Sequence, residues 1–274
     1  MKGVCDVKAL RIFITVILSF VLVALIVGVT LISSVKEVVQ TQLVGEAVKQ
    51  SILKEVDNVD IEGLDEIIDS KTINKLIDSV LTDYTNYVEG KGNGVSDETV
   101  DIIVDYIYDN KDKIEKVVGQ EIDLGDTTRE EAKKELKESL NEEFAEIDEN
   151  SEEVNKAIVI YANVTSSNTL YIILGVIAVI VVLIGLVNWN LYSTGISIGV
   201  VSIVSGIINL LLYLLTSVIS GMINSSSDVE IKINFNLLLI VGASLFVFGI
   251  VLLIVSNILN KKKINNNEVT PVVA

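Results

Sequence analysis

The side chains of this chain that could do chemistry are carboxylates. The sequence contains no histidine, and its one cysteine, Cys5, lies near the N-terminus. Nucleophilic triads that use histidine, histidine-containing zinc sites and the H-E-x-x-H protease motif are therefore excluded. No phosphate-binding G-x-x-x-x-G-K-[ST] loop occurs either. We expect a protein without catalytic residues, enzyme activity or cofactor.

One group of carboxylates has the spacing of a metal-binding loop. Its residues follow an EF-hand loop at the first, third, fifth, sixth and twelfth places: Asn58, Asp60, Glu62, Gly63 and Asp69. The segment departs from that pattern in three of its ligand places, including Asp where a bidentate Glu is usual. It is therefore either a weak calcium site or an acidic turn between two helices.

Four long apolar runs set the class of the protein. Half of the residues are hydrophobic, and the mean hydropathy is +0.55. Uncharged runs of about 18 to 24 residues are long enough to cross the hydrocarbon core as helices, and they cover residues 12–32, 170–187, 196–219 and 237–259. We predict an all-α integral membrane protein with four transmembrane helices.

The first run has two interpretations. Lys2, Lys8 and Arg11 precede it, as in the positive region of a secretory signal peptide. The run is longer than the apolar region of such peptides, and no A-x-A-like cleavage site follows it. An uncleaved signal anchor is favoured over a cleaved signal.

Lysine and arginine near the runs predict the orientation. Basic residues flank the first run at its N-terminal side, and Lys261, Lys262 and Lys263 follow the last. By the positive-inside rule both termini lie in the cytoplasm. The predicted cytoplasmic segments are 1–11, 188–195 and 260–274, and the predicted extracytoplasmic segments are 33–169 and 220–236. Rich Asn, Ile and Lys usage is typical of an AT-rich prokaryotic genome, so the predicted membrane is the plasma membrane.

The long exported segment is acidic and has helical periodicity. Residues 36–169 contain 33 acidic and 14 basic side chains, a surface that repels nucleic acid. Apolar residues recur at helical spacing throughout, Thr127 and Glu130 have capping-box spacing, and the glycine-rich loop 90–94 divides the segment. We predict a large helical extracytoplasmic domain between transmembrane helices 1 and 2, either a bundle or a coiled-coil-like hairpin.

Small residues recur at close spacing within the apolar runs. In lipid, helices associate where small side chains let their backbones approach. We predict helix packing at Gly195, Gly199, Ser202 and Gly206, with further small residues at Ala24, Gly28, Gly242 and Gly249. Packing among the four spans is the first interpretation, and pairing with another subunit is the second. Asn209 and Asn257 are predicted to make hydrogen bonds between helices, and contact with a substrate is the alternative.

These features predict a scaffold, sensor or accessory binding subunit of the cell envelope, with the lipid bilayer and a protein as its partners. The order of one span, a large exported domain and three spans resembles the permease subunits of cell-division and macrolide-export ABC systems. A helical exported domain flanked by spans also resembles bacterial chemoreceptor sensor domains. The first resemblance implies the alternative, a permease or export component that works with a separate ATPase.

Overall fold

The computed structural model describes residues 2–44, 63–64, 67, 71–119, 121, 128–150, 152–226 and 235–268. Every regular element within these ranges is helical. The helices are α1 (Lys2–Glu37), a π-helical segment (Val38–Val44), α2 (Lys71–Val88), α3 (Asp97–Asp109), α4 (Lys111–Val118), α5 (Arg129–Asn150), α6 (Glu152–Thr165), α7 (Ser167–Asn188), α8 (Leu191–Ser226) and α9 (Asn236–Glu268).

Four of these helices are long and apolar enough to cross a membrane. The qualifying stretches are Ala9–Gln40, Ser167–Asn188, Leu191–Val218 and Asn236–Lys261. Only 6% of the most apolar window of the first stretch is buried within the protein, and the corresponding share of the third is 33%. Large apolar side chains that face outward in this way are typical of helices surrounded by lipid.

The chain divides into two compact units. The first, which we call the membrane unit, consists of residues 1–35 and 167–274, and the second, the acidic unit, consists of residues 36–166. Within the membrane unit, Leu22 of α1 packs with Ile180 and Ile184 of α7 and with Val201 of α8. Helices α8 and α9 form the most extensive helix pair of this unit.

The acidic unit has its own apolar core. Tyr84, Val95, Val100, Val104 and Phe144 are buried together, with the rings of Tyr84 and Phe144 edge to face at 5.0 Å. The apolar stripe of α5 packs against this cluster through Ala132, Leu136 and Leu140. A stripe with helical spacing therefore joins α5 to the core formed by α2 and α3.

Two helix boundaries differ from the sequence prediction. The capping box of α5 lies one residue later than predicted, because Thr128 Oγ1 accepts from the Glu131 amide while the Glu131 carboxylate accepts from the Thr128 amide. The helical spacing of apolar residues beyond the first run predicts that the α-helix continues without interruption, whereas residues 38–44 form the wider π-helical turn. Gln40 of that turn is buried and donates to Asp78 of α2 at 2.6 Å.

Candidate functional site

The crossing of α8 and α9 is built from glycines that face each other in pairs. A Cβ atom on Gly206 would lie 2.7 Å from the Gly242 carbonyl oxygen, and one on Gly249 would lie 2.6 Å from the Gly199 carbonyl oxygen. Both distances are shorter than any normal contact of a Cβ atom. Because each pair is two helical turns from the other, both helices must carry glycine at this spacing for their backbones to come so close.

Gly195 of α8 lies on the same contact, and Ser202 is at the spacing that places it on the same side of the helix. Ser202 is buried, and a Cβ on Gly195 would collide with the Ser256 hydroxyl of α9. Three predicted packing residues of α8 and two of α9 thus share one interface within the membrane unit: Gly195, Gly199, Gly206, Gly242 and Gly249.

The small residues of α1 do not take part in a comparable contact. No described atom lies within 4 Å of a Cβ built on Gly28, and Ala24 is exposed. In the described part of the chain, α1 instead meets α7 and α8 through the larger side chain of Leu22. The predicted close packing at Ala24 and Gly28 is therefore not found there, because small residues allow close approach of two helices but do not cause it.

A polar group is buried beside the glycine contact. Asn209 and Ser205 have no exposed surface, and neither amide atom of Asn209 nor the Ser205 hydroxyl oxygen has a hydrogen-bond partner among the described residues. The predicted interhelical hydrogen bond of Asn209 is therefore absent there, and Asn257 is exposed. Unpaired polar atoms in a dry interior each cost about 1 to 3 kcal/mol.

In the acidic unit, carboxylates along one side of α3 face cations of α5. The Lys133 ammonium lies 2.8 Å from Asp101, and the Arg129 guanidinium lies 2.7 Å from Asp109. Arg129 also lies over the Tyr108 ring, 5.1 Å from its centroid. The pKa of Lys133 is raised above its ordinary value, mainly by the hydrogen bond to Asp101, which outweighs the opposing effect of desolvation. These ion pairs join α3 to α5.

A second polar network joins α2 to the start of α3. The Oδ2 atom of Asp83 accepts hydrogen bonds from the Ser96 amide at 2.9 Å, the Ser96 hydroxyl at 2.8 Å and the Thr99 hydroxyl at 2.5 Å. Ser96 also caps α3, because its side chain accepts from the Thr99 amide. Sequence reasoning missed Asp83. The sequence does carry a signal for the start of α3, because Ser96 is followed by Asp97 and Glu98, a helix cap with acidic residues in the first turn.

The glycine-rich loop before Ser96 is held against α5. Gly94 has φ +121°, a conformation that favours glycine, and any Cβ there would collide with the Asn141 side chain. The side-chain Oδ1 atom of Asn141 accepts a hydrogen bond from the Val95 amide at 2.7 Å. The predicted break between the two halves of the segment is therefore a loop of defined shape.

No cluster of three or more Asp, Glu, His or Cys side chains suited to holding a metal ion occurs among the described residues. The EF-hand-like residues Asn58, Asp60, Glu62 and Asp69 lie outside the described ranges. The predicted weak calcium site therefore stays a prediction.

Comparison of this chain with family models, curated proteins and solved structures finds no match.

Proposed function

We propose that this chain is a non-enzymatic multi-pass protein of the plasma membrane, with both termini in the cytoplasm. In this proposal the acidic unit lies outside the cell membrane and binds a protein partner as a scaffold, sensor or accessory subunit. The single observation that carries the proposal is the division of the chain into a helical membrane unit and a separate acidic unit with its own core.

The exposed surface of α5 is acidic, which favours a binding partner of positive charge. Glutamates at helical spacing are exposed along the side that faces away from the core: Glu135, Glu138 and Glu142. The cations Arg129 and Lys133 form ion pairs with carboxylates of α3. Among the ion pairs of the described residues, only that of Lys134 reaches these three glutamates, with its ammonium 4.0 Å from Glu138. A cationic protein surface is therefore the favoured ligand, since anionic lipid and nucleic acid would be repelled.

A permease or export component that works with a separate ATPase is the second candidate. The observation in its favour is the buried polar pair Ser205 and Asn209 within the third apolar helix, because polar groups inside a membrane often mark a pathway. The turn between α7 and α8 is short, Trp189 to Asn190, which offers little surface to an ATPase.

Site-specific photo-crosslinking distinguishes the two candidates. A photoreactive amino acid is placed at Glu138, on the exposed side of α5, or at Asn190, in the short turn. The proposal predicts crosslinks from position 138 to an extracytoplasmic protein, and it predicts their loss when the flanking residues Glu135 and Glu142 are both replaced by Lys. Crosslinks from position 190 alone, to a cytoplasmic ATPase, would support the permease.

A further inference from the structure

The turn between α7 and α8 carries two large apolar side chains that the proposed function does not use. Trp189 is 82% exposed and Leu191 is 85% exposed, the two highest values among the large apolar side chains of the described residues. Trp189 is also the only tryptophan of the chain. Because only Trp189 and Asn190 separate the two helices, both exposed side chains lie at the end of the hairpin that α7 and α8 form.

The backbone at Trp189 has a conformation that favours glycine. Its φ is +49°, and it is the one non-glycine residue with positive φ in the described part of the chain. The Trp189 amide donates to the Gly185 carbonyl at 3.1 Å at the end of α7, and Asn190 Oδ1 accepts from the Tyr192 amide at the start of α8. Glycine would make this turn without strain. Tryptophan at such a position indicates a role for its side chain outside the turn itself.

The place of the turn in the chain sets its depth in a membrane that α7 and α8 span. Two residues reach at most about 7 Å, so the turn cannot extend far from the membrane surface. Trp189 lies two residues beyond the apolar run 170–187, about 3 Å along a helix, and Leu191 lies five residues before the run 196–219, about 7 Å. The headgroup layer on each side of the hydrocarbon core is about 5 to 8 Å thick. Both side chains therefore lie at the level of the headgroups.

Phospholipid fits this surface better than a soluble protein does. Tryptophan is enriched at the boundary between lipid and water, because its ring is apolar and its indole N–H needs a hydrogen-bond acceptor. Residues 188–195 carry no charged side chain, so the turn has no ionic complementarity to offer a protein. A tryptophan buries about 150 to 250 Å², whereas a stable protein interface buries about 800 Å² on each partner. The turn alone is too small for such an interface.

We propose that Trp189 and Leu191 form a lipid anchor, which lies among the glycerol and ester groups of the bilayer that α7 and α8 span. The anchor fixes the depth of the α7–α8 hairpin, and the ester carbonyls accept from the indole N–H. A turn covered by lipid leaves no surface to an ATPase, which counts against the permease as the function. The headgroup layer is hydrated, so Asn190 remains accessible to reagents dissolved in water. The anchor requires α7 and α8 to be membrane spans, but it does not depend on the side on which the acidic unit lies.

The fluorescence of the single tryptophan tests the anchor in the full-length protein. The protein is reconstituted into phosphatidylcholine vesicles, and its insertion is checked by flotation. Part of the lipid carries bromine, a quencher, near either the ester end or the methyl end of its acyl chains. We expect stronger quenching by bromine near the ester end. We also expect acrylamide in the water to quench Trp189 less than it quenches N-acetyltryptophanamide.

Two results in floated vesicles would overturn the proposal. Full quenching by acrylamide without quenching by the brominated lipids would place Trp189 in water, and stronger quenching from the methyl end would place it in the hydrocarbon core. Failure of the protein to float with the vesicles would instead contradict the membrane class on which the proposed function rests. The two failures are therefore distinguishable.

Variants at Trp189 provide the controls. Trp189→Phe combined with Lys134→Trp moves the only tryptophan to an exposed position of α5, where acrylamide should quench it and brominated lipid should not. Equal quenching by brominated lipid at positions 134 and 189 would contradict a specific anchor. In detergent, Trp189→Gly should melt at a higher temperature than Trp189→Ala, because glycine adopts a φ of +49° without strain. Equal melting temperatures would contradict the argument from the backbone.

Discussion

Gly206 and Gly242 face each other so closely that a Cβ on Gly206 would lie 2.7 Å from the Gly242 carbonyl oxygen and 2.8 Å from the Phe246 amide nitrogen. Both obstacles are backbone atoms, which cannot rotate away as a side chain can. The distance between α8 and α9 is therefore set by the absence of a side chain at this position.

We predict that Gly206→Ala destabilises the membrane unit, whereas Gly28→Ala does not. Both substitutions gain the same helix propensity, but a Cβ on Gly28 meets no atom of the described residues within 4 Å. Overpacking at the crossing should cost about 1 to 3 kcal/mol, by analogy with overpacked cores. Thermal unfolding in detergent measures the difference, and equal melting temperatures of the two variants would show that the crossing is looser than described.

Asn209→Leu is expected to raise the thermal stability. The substitution replaces two buried amide atoms without partners among the described residues by an apolar group of similar size. Removing such unpaired atoms should stabilise the fold by about 1 to 3 kcal/mol. A lower melting temperature would mean that the amide is hydrogen-bonded in the native protein. Ser205→Ala, one turn away, provides a second measurement of the same effect.

The acidic unit should fold without the membrane unit. Residues 36–166 expressed alone are expected to be soluble and monomeric, with a helical circular dichroism spectrum and a cooperative thermal transition, because the core around Tyr84 and Phe144 lies within this unit. Phe144→Ala is expected to lower the stability of the isolated unit by about 3 to 5 kcal/mol. A spectrum typical of unfolded chain for the parent segment would contradict the division into two units.

The pKa of Asp97 depends on one neighbouring residue. A hydrogen bond from Lys137, followed by the charge of its ammonium, holds the pKa of the Asp97 carboxyl below its ordinary value of 3.8. A lowered pKa stabilises the folded state above the unfolded-state pKa, and this contribution is lost as the pH falls through the folded-state pKa. In Lys137→Met the pKa of Asp97, followed by NMR in the isolated unit, should return toward 3.8. Lys134→Met, on the same helix, should leave it unchanged.

The sequence predicted the all-helical fold well because both kinds of helix leave a pattern in it. A helix in lipid needs a long apolar run, and a helix packed on a core needs apolar residues at helical spacing. The glycines of α8 and α9 were identifiable because spacing alone places them on one side of a helix. Asp83 was not, since its partners Ser96 and Thr99 lie beyond the loop and only the folded chain brings them together. The sequence also did not predict that the Asn209 side chain has no hydrogen-bond partner among the described residues, because a side-chain amide in a transmembrane helix is expected to make a hydrogen bond to a neighbouring helix.

Placement of the acidic unit outside the cell is tested most directly by cysteine labelling. Cys5 is the only cysteine, so Cys5→Ser gives a background without thiols. Asn93→Cys in the exposed loop and Asn190→Cys in the short turn are then treated with a membrane-impermeant maleimide, in intact and in permeabilised cells. We predict labelling of Asn93→Cys in intact cells and of Asn190→Cys only after permeabilisation. Labelling of Asn190→Cys in intact cells, with Asn93→Cys protected until permeabilisation, would contradict the proposed topology.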